Sequence, residues 1–351
     1  MFERILKRLK RCIPLHIIAT YRSRTLPAIS LYEQLVDKYG QDADFYVQHY
    51  TGTGDVYLAA SLLKKFVQDN NRSSNYVMTV IGGGNKKVAQ LFDLEQVETL
   101  NQQQTDYLVR MSMFAGDKRT RMLVTHYHPQ KYSTGVLTEM CSYKGTDFAT
   151  MYLDASLPGM HPCDLTDPGN KSNAEHIEKV FEQAKLIPER TVLIAPYAVT
   201  TDAIPDEFWD KLVKHLKRRG YAVCTNSAST SEPALRGTQP VNISYADLRQ
   251  FCEKCGYVIA LRSGLCEIIA SCSAKKVIIY PKINLFKFGN YSFKKYFSLE
   301  NMKYGQNFSE IDFDNRKFGK PKTKRLLSRI LEEFPNLNEP SSETGGCKSD
   351  D

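Results

Sequence analysis

The sequence predicts an α/β protein built from two halves, each alternating strands and helices around a parallel sheet. Three observations carry this. Residues 45–66 read as a buried strand, a glycine-rich turn and an amphipathic helix. Alternation of the same kind continues from about residue 44 to about residue 155. A second alternating series, over 174–280, follows a segment rich in Pro, Gly, Asp and Ser at 157–173. Strands that alternate with helical patterns argue for crossover units and a parallel sheet.

In the first half, Phe45, Tyr46 and Val47 are aromatic and β-branched, which suits a buried strand. The run Thr51-Gly52-Thr53-Gly54 lets the backbone turn sharply. Asp55 then opens a segment with apolar residues at Val56, Leu58, Ala59, Leu62, Leu63 and Phe66, which is helical spacing. Gly54 and Asp55 therefore fall at the carboxyl end of a strand, where open α/β sheets hold their ligands. An acid there equally caps a helix, and the residues alone leave both roles open. Next come a strand at 76–81 ended by Gly82-Gly83-Gly84, a helix at 86–92, a strand at 97–100 and a helix at 102–113. A strand at 121–125 then runs into His126-Tyr127-His128-Pro129.

The second half opens with a helix at 174–186 and a strand at 191–195. After the turn Pro196-Tyr197-Ala198-Val199-Thr200-Thr201 comes a helix at 205–219 with Phe208, Leu212 and Leu216 on one face. A strand at 221–225, a helix at 245–255 and a strand at 257–261 lead to the turn Arg262-Ser263-Gly264. A helix at 264–272 and a strand at 276–280 follow. The amides of that turn, the Ser263 hydroxyl and the Arg262 cation fit a pyrophosphate, although an ordinary strand–helix turn has the same form. Thr200 and Thr201 add two hydroxyls after the preceding strand.

The domain organisation expected is a basic N-terminal segment (1–40), a Rossmann-like N-terminal domain (41–160), a linker (161–173) and a Rossmann-like C-terminal domain (174–310). A basic C-terminal helix (311–337) and a disordered tail (338–351) complete it.

Apolar residues at 42 % and charged residues at 25 % are those of a soluble globular chain. No apolar run approaches the ~18–20 residues of a membrane span, and the N-terminus lacks the apolar core of a signal peptide. Nine cysteines without framework spacing point to reduced thiols and a cytoplasmic setting. Cys252-Glu253-Lys254-Cys255 has no second pair, so zinc is not expected. The formal charge of +8 favours anionic partners. Arg4, Lys7, Arg8, Lys10 and Arg11 alternate with Phe2, Ile5, Leu6, Leu9 and Ile13, the pattern of an amphipathic helix lying on anionic lipid. A solvated helix face has the same pattern. No nucleic-acid recognition signature is present, and nucleic acid is not an expected partner.

In the order of its elements the chain resembles the heptosyltransferase-like glycosyltransferases, family-nine-like inverting enzymes of GT-B fold with two Rossmann-like domains facing a cleft. The residues that carry this are Gly54-Asp55-Val56, Pro196-Tyr197-Ala198, the helix opening Ile204-Pro205-Asp206-Glu207-Phe208, and Arg262-Ser263-Gly264-Leu265-Cys266-Glu267. The resemblance spans about residues 45–281 and lies in order and spacing more than in identity. It implies that Asp55 is the general base on the acceptor hydroxyl and that the last of these turns holds the donor's phosphates. It departs from the family where a phosphate-binding Lys is replaced by Asp202, and where Arg262 and Glu267 replace an Asp and a His. The Arg262 guanidinium is therefore expected to supply the missing cation.

The implied activity moves a sugar from a nucleotide-diphosphate donor to a glycan or lipid-linked acceptor in cell-surface polysaccharide (capsule) synthesis, with inversion. Such transfer needs a base and stabilisation of a leaving diphosphate. Asp55 is expected as base. Thr200, Thr201, Asn226, Ser227, Arg262, Ser263, Gly264, Leu265 and Glu267 are expected around the donor, with Gly54, His126 and His128 toward the acceptor. No metal and no cofactor are expected beyond the nucleotide-sugar substrate. The expected location is cytoplasmic, peripheral on the inner face of the membrane. Two other classes fit less well. One is a catalytically silent GT-B subunit of a polysaccharide assembly complex. The other is a nicotinamide-dependent oxidoreductase, for which a complete GxGxxG after a strand is missing.

Overall fold

The computed structural model describes residues 21–49, 52–114, 119–123, 147–169, 171–199, 201, 203–227, 229–281, 293–302, 304–313 and 320–338. The basic segment 1–20, His126, His128, Thr200, Asp202 and residues 339–351 lie outside them. The chain divides into two compact units. The first holds the residues up to Lys171 together with Lys295–Tyr304; the second holds Ser172–Lys294 and the chain from Gly305 onward.

Unit 1 is built on β1 (Asp44–Val47), β2 (Tyr76–Ile81), β3 (Val97–Leu100) and β4 (Thr120–Met122). All pairings are parallel and the order is β3-β2-β1-β4. Its helices are α1 (Leu26–Tyr39), α2 (Thr53–Asp69), α3 (Gly83–Ala89), α4 (Gln102–Phe114) and α5 (Phe148–Ser156). Every residue of β1 is buried, as expected of a strand covered on both faces. Phe45 and Val47 pack with Tyr32, Leu35 and Val36 of α1 and with Leu108 and Val109 of α4. Tyr46 points the other way and meets Phe66 of α2 edge-on at 6.3 Å. The six apolar positions read as the helical stripe of α2 are all buried.

Two sequence expectations change in this unit. Residues 1–40 were expected to be a separate basic segment, but Leu26–Tyr39 is a core helix whose buried Ala28, Tyr32, Leu35 and Val36 follow helical spacing. Helix α5 was not expected. Asp147 caps it, accepting the Thr150 N–H at 2.9 Å.

Unit 2 contains β5 (Thr191–Ala195), β6 (Ala222–Asn226), β7 (Gln239–Val241), β8 (Gly256–Leu261), β9 (Lys275–Pro281) and β10 (Phe308–Phe313). All are parallel, in the order β10-β9-β8-β5-β6-β7. Its helices are α6 (Ala174–Gln183), α7 (Asp206–Arg218), α8 (Tyr245–Cys255) and α9 (Leu265–Ile269). After α10 (Phe293–Phe297), which runs into unit 1, comes α11 (Lys320–Glu332). Phe208, Trp209, Leu212 and Leu216 of α7 pack with Val192, Ile194 and Val223 of the sheet and with Leu326 and Ile330 of α11. Trp209 donates its indole N–H to the Ile204 carbonyl at 3.2 Å, which satisfies the one polar atom of a 2 % exposed side chain. On α6 and α8, Phe181 and Phe251 meet at 5.2 Å.

The basic C-terminal helix was expected over 311–337. Instead a sixth strand, β10, pairs with β9 before α11 begins, and its Ile311 and Phe313 join the core. Residues 295–304 were expected in the C-terminal domain, yet they pack in unit 1. Phe297 lies against Phe148 of α5 at 4.9 Å, Tyr304 touches Tyr57 of α2 through ring and hydroxyl, and Leu299 and Met302 are fully buried. Among the described residues no helix is long and apolar enough to cross a membrane.

One polar knot ties two helices of unit 2. The Asp247 carboxylate, 5 % exposed, accepts from the Asn173 N–H at 2.7 Å, the Ser244 hydroxyl at 2.8 Å and His176 Nδ1 at 3.0 Å. Burial alone would raise its pKa. The Asn173, Ser244 and His176 contacts together outweigh burial and hold it below the usual range. A depressed folded-state pKa gives stability that is present above the unfolded value, about 3.9, and lost as pH falls through the folded one. Urea midpoints of wild type and Asp247→Asn should therefore differ at neutral pH and converge as pH is lowered through that window. A gap that stays constant with pH would show that Asp247 contributes no charge-linked stability.

Candidate active site

Counted within each unit, the strands run 3-2-1-4 in unit 1 and 3-2-1-4-5-6 in unit 2. Strand order reverses between β1 and β4, and between β5 and β8. Ligands of doubly wound sheets bind outside the carboxyl ends of the strands at this reversal.

At the unit 1 reversal β1 is followed by Gln48 and His49, and the chain re-enters at Gly52, which caps α2. Asp55 is the third residue of that helix, half-buried, with its carboxylate folded back over Gly52. A Cβ at Gly52 would collide with Asp55 Oδ2, so only glycine lets the acid take this position. Gly54 sits between them in the first turn. Asp55 thus lies on the positive end of its helix, which favours a negative charge. Tyr152 of α5, 1 % exposed, donates its hydroxyl to Gln48 Oε1 at 2.9 Å. Its own proton is held far more tightly than usual, by burial first and by the nearby Asp55 charge second. The Gln48 side chain is fully buried, and its Nε2 has no hydrogen-bond partner among the described residues. His49 Nε2 lies 3.0 Å from Asp106 Oδ1 of α4, and Gln102 Nε2 donates to the same oxygen at 3.1 Å.

At the unit 2 reversal the edge is formed by residues 196–199 and Thr201 after β5 and by residues 262–265 after β8. Asn226 and Ser227 stand on the neighbouring strand end. The hydroxyl of Thr201 and Oδ1 of Asn226 are buried without partners among the described residues, a costly state for a polar atom. Ser227 is committed to its own loop, donating its hydroxyl to the Glu232 carbonyl at 2.6 Å. Ser263 and Gly264 are half-buried; the Ser263 carbonyl accepts from the Cys266 N–H at 2.9 Å. Arg262 is 5 % exposed and Glu267 3 % exposed. The two form a bidentate pair, Nη1 to Oε2 at 2.8 Å and Nη2 to Oε1. Nη1 also donates to the Ser263 carbonyl at 2.7 Å. Burial would lower the Arg262 pKa, but the Glu267 charge outweighs it and keeps the guanidinium ionised.

No protein-family model matches the chain, and no curated protein matches it significantly. Solved structures do. The chain is similar to the E. coli ADP-heptose LPS heptosyltransferase II, with a TM-score of 0.54 and 13 % identity over 83 % of this chain and 97 % of that one. The fold is GT-B-like. A glycosyl transferase family 9 structure from Veillonella parvula (TM-score 0.49, 12 % identity, 84 % and 97 % covered) also matches. So does E. coli heptosyltransferase WaaC with ADP-2-deoxy-2-fluoro heptose (0.45, 10 %, 82 % and 99 %).

The GT-B-like topology brings Thr201, Asn226, Ser227, Arg262, Ser263, Gly264 and Leu265 to one sheet edge of unit 2, and Gly54 and Asp55 to the corresponding edge of unit 1. Arg262 and Glu267, expected at the donor, are paired with each other: Glu267 accepts from both Nη atoms of the guanidinium, and the Ser263 carbonyl accepts from Nη1. Gln48, His49, Asp106 and Tyr152 were missed. Gln48 and His49 carried a signal, because two polar residues directly follow an apolar strand.

Removing one partner of a buried pair leaves an uncompensated charge. Arg262→Ala should lower the free energy of unfolding by about 3–5 kcal/mol, and Arg262→Met combined with Glu267→Leu should recover most of it. Urea titration of both variants checks this. An Arg262→Ala protein as stable as wild type would mean that the pair does not hold the turn.

Proposed function

We propose that this protein is a glycosyltransferase that takes a sugar from a nucleotide-diphosphate donor. The observation that carries the reading is Asp55: an acid fixed on a glycine turn at the switch point of a GT-B-like unit, on the positive end of its helix. Asp55 removes the proton from the acceptor hydroxyl as the hydroxyl attacks the anomeric carbon, and the leaving diphosphate departs from the opposite side, which inverts the centre. The donor lies at the edge of unit 2. The Thr200 and Thr201 hydroxyls, Asn226, the Ser263 hydroxyl and the amides of Gly264 and Leu265 contact it, while Arg262 and Glu267 hold the turn in shape. These groups stabilise the leaving diphosphate without a metal ion. The acceptor is a glycan or lipid-linked glycan of the cell surface. The basic, apolar-striped segment 1–13 brings the protein to the anionic cytoplasmic face of the membrane where such acceptors reside.

The pairing of His49 with Asp106 supports a second reading of the base, since a carboxylate-held imidazole is itself a proton acceptor. Turnover separates the two. Asp55→Asn keeps shape and loses proton affinity, so transfer should fall by roughly 10²–10⁴-fold while nucleoside diphosphate binding stays unchanged. His49→Gln should cost much less. The readout is release of UDP, GDP or ADP from a panel of nucleotide sugars in the presence of acceptor glycans. More than about a tenth of wild-type turnover in Asp55→Asn would remove Asp55 from the base role. No nucleoside diphosphate released from any donor would favour a catalytically silent subunit.

A further inference from the structure

Unit 2 contains a set of buried nucleophiles at the opposite end of its sheet from the strand ends described above. Cys224, Cys252, Cys255 and Cys272 are all fully buried free thiols. Among them sits Lys276, the second residue of β9, also 0 % exposed. Its Nζ donates to the carbonyls of Cys272 at 2.6 Å and Ala274 at 2.9 Å, and lies 3.7 Å from Cys272 Sγ. A fully buried lysine is rare. This one caps the turn that leads into β9 and in doing so rests its nitrogen against a sulfur.

From this contact we propose that Cys272 and Lys276 are a redox modification site, at which peroxide oxidation of the thiol joins Sγ to Nζ in a sulfenamide cross-link. The Cys272 sulfur attacks one oxygen of the peroxide; the S–O bond forms, the O–O bond breaks, and water leaves, giving the sulfenic acid. The Lys276 amine then attacks the sulfur. The S–N bond forms, the S–O bond breaks, and a second water leaves with one amine proton. Sulfur loses two electrons in all, and one peroxide becomes two waters.

Two features favour this pair over the other thiols. Burial raises the pKa of Cys272, as it does those of Cys252 and Cys255, and the Lys276 charge opposes the rise at Cys272 and at Cys252 alike; what sets Cys272 apart is geometry, its sulfur lying 3.7 Å from the Lys276 nitrogen. Burial also lowers the Lys276 pKa, with the Cys272 and Cys252 thiols opposing, so its neutral, nucleophilic form is more accessible than that of a surface lysine.

The test is peroxide treatment of the intact protein, then mass spectrometry and tryptic mapping with and without a thiol reductant. The expected result is a loss of about 2 Da that the reductant reverses, with Cys272 joined to Lys276 and trypsin no longer cutting after Lys276. Cys272→Ser and Lys276→Met should abolish the change, and Cys252→Ser should keep it. Since Lys276→Met removes a turn cap and can impair folding, Cys272→Ser, which leaves the Lys276 carbonyl bonds in place, is the deciding variant. The proposal is overturned by a loss that persists in Cys272→Ser. It is also overturned by a loss that maps to a disulfide among the cysteines, by conversion of Cys272 to sulfinic acid with Lys276 free, or by no change at Cys272.

Discussion

A parallel strand covered on both faces has no place for polar chemistry along its length. Its backbone groups are spent on the ladder and its side chains on the core. Just past the carboxyl end the ladder stops, the chain turns, and a helix begins with amides to spare. That constraint organises both units. In unit 1, β1 is wholly buried, and Gln48, His49 and Asp55 follow within eight residues of its end. In unit 2, β5 is wholly buried, and Thr201, Asn226 and the Arg262–Glu267 pair all stand at strand ends. Strand order then decides which ends matter, because only at the reversal do the crossover helices part to opposite faces and leave room for a ligand.

The two turns solve the same problem with different chemistry. At Gly52 the solution is steric: with no Cβ, the Asp55 carboxylate can lie over the helix start, where the dipole favours its charge. At Arg262 it is electrostatic. A guanidinium below the surface is tolerated because Glu267 faces it with both oxygens and the Ser263 carbonyl takes a further N–H. Such a pair adds little net stability relative to apolar residues but is costly to break. Its effect is to fix one conformation of the Ser263–Gly264 turn.

Much of this was legible in the sequence because the strongest patterns are local. The apolar run of β1, the glycine turn and the α2 stripe together require a strand–turn–helix, and the order of such units requires parallel sheets. The parts that were missed depend on tertiary pairing. The alternating Phe308–Phe313 carries Glu310 and Asp312 and reads as polar, yet its other face, Ile311 and Phe313, finds β9. Strand β7 has three residues and includes Pro240, which only an edge strand accommodates. Residues 295–304 leave no sequence mark of their return to unit 1, since the contacts of Phe297 and Tyr304 with Phe148 and Tyr57 span about 150 to 250 positions. Within the site, Arg262 was correctly placed at a strand end. Its partner five residues further on, Glu267, accepts from both of its Nη atoms, a pairing that the turn alone did not announce.

The claim that the strand ends at the β5–β8 reversal form a nucleotide site is tested most directly by calorimetry with ADP, UDP and GDP on wild type, Thr201→Val and Asn226→Ala. The Thr201 hydroxyl and Asn226 Oδ1 are buried and have no hydrogen-bond partner among the described residues; on this account a bound nucleotide supplies one. The account predicts that one of the diphosphates binds wild type and that each variant weakens it by about 0.5–1.5 kcal/mol, roughly two- to twelve-fold in Kd. Binding of equal strength in all three proteins, or no binding of any nucleoside diphosphate to wild type, would contradict it.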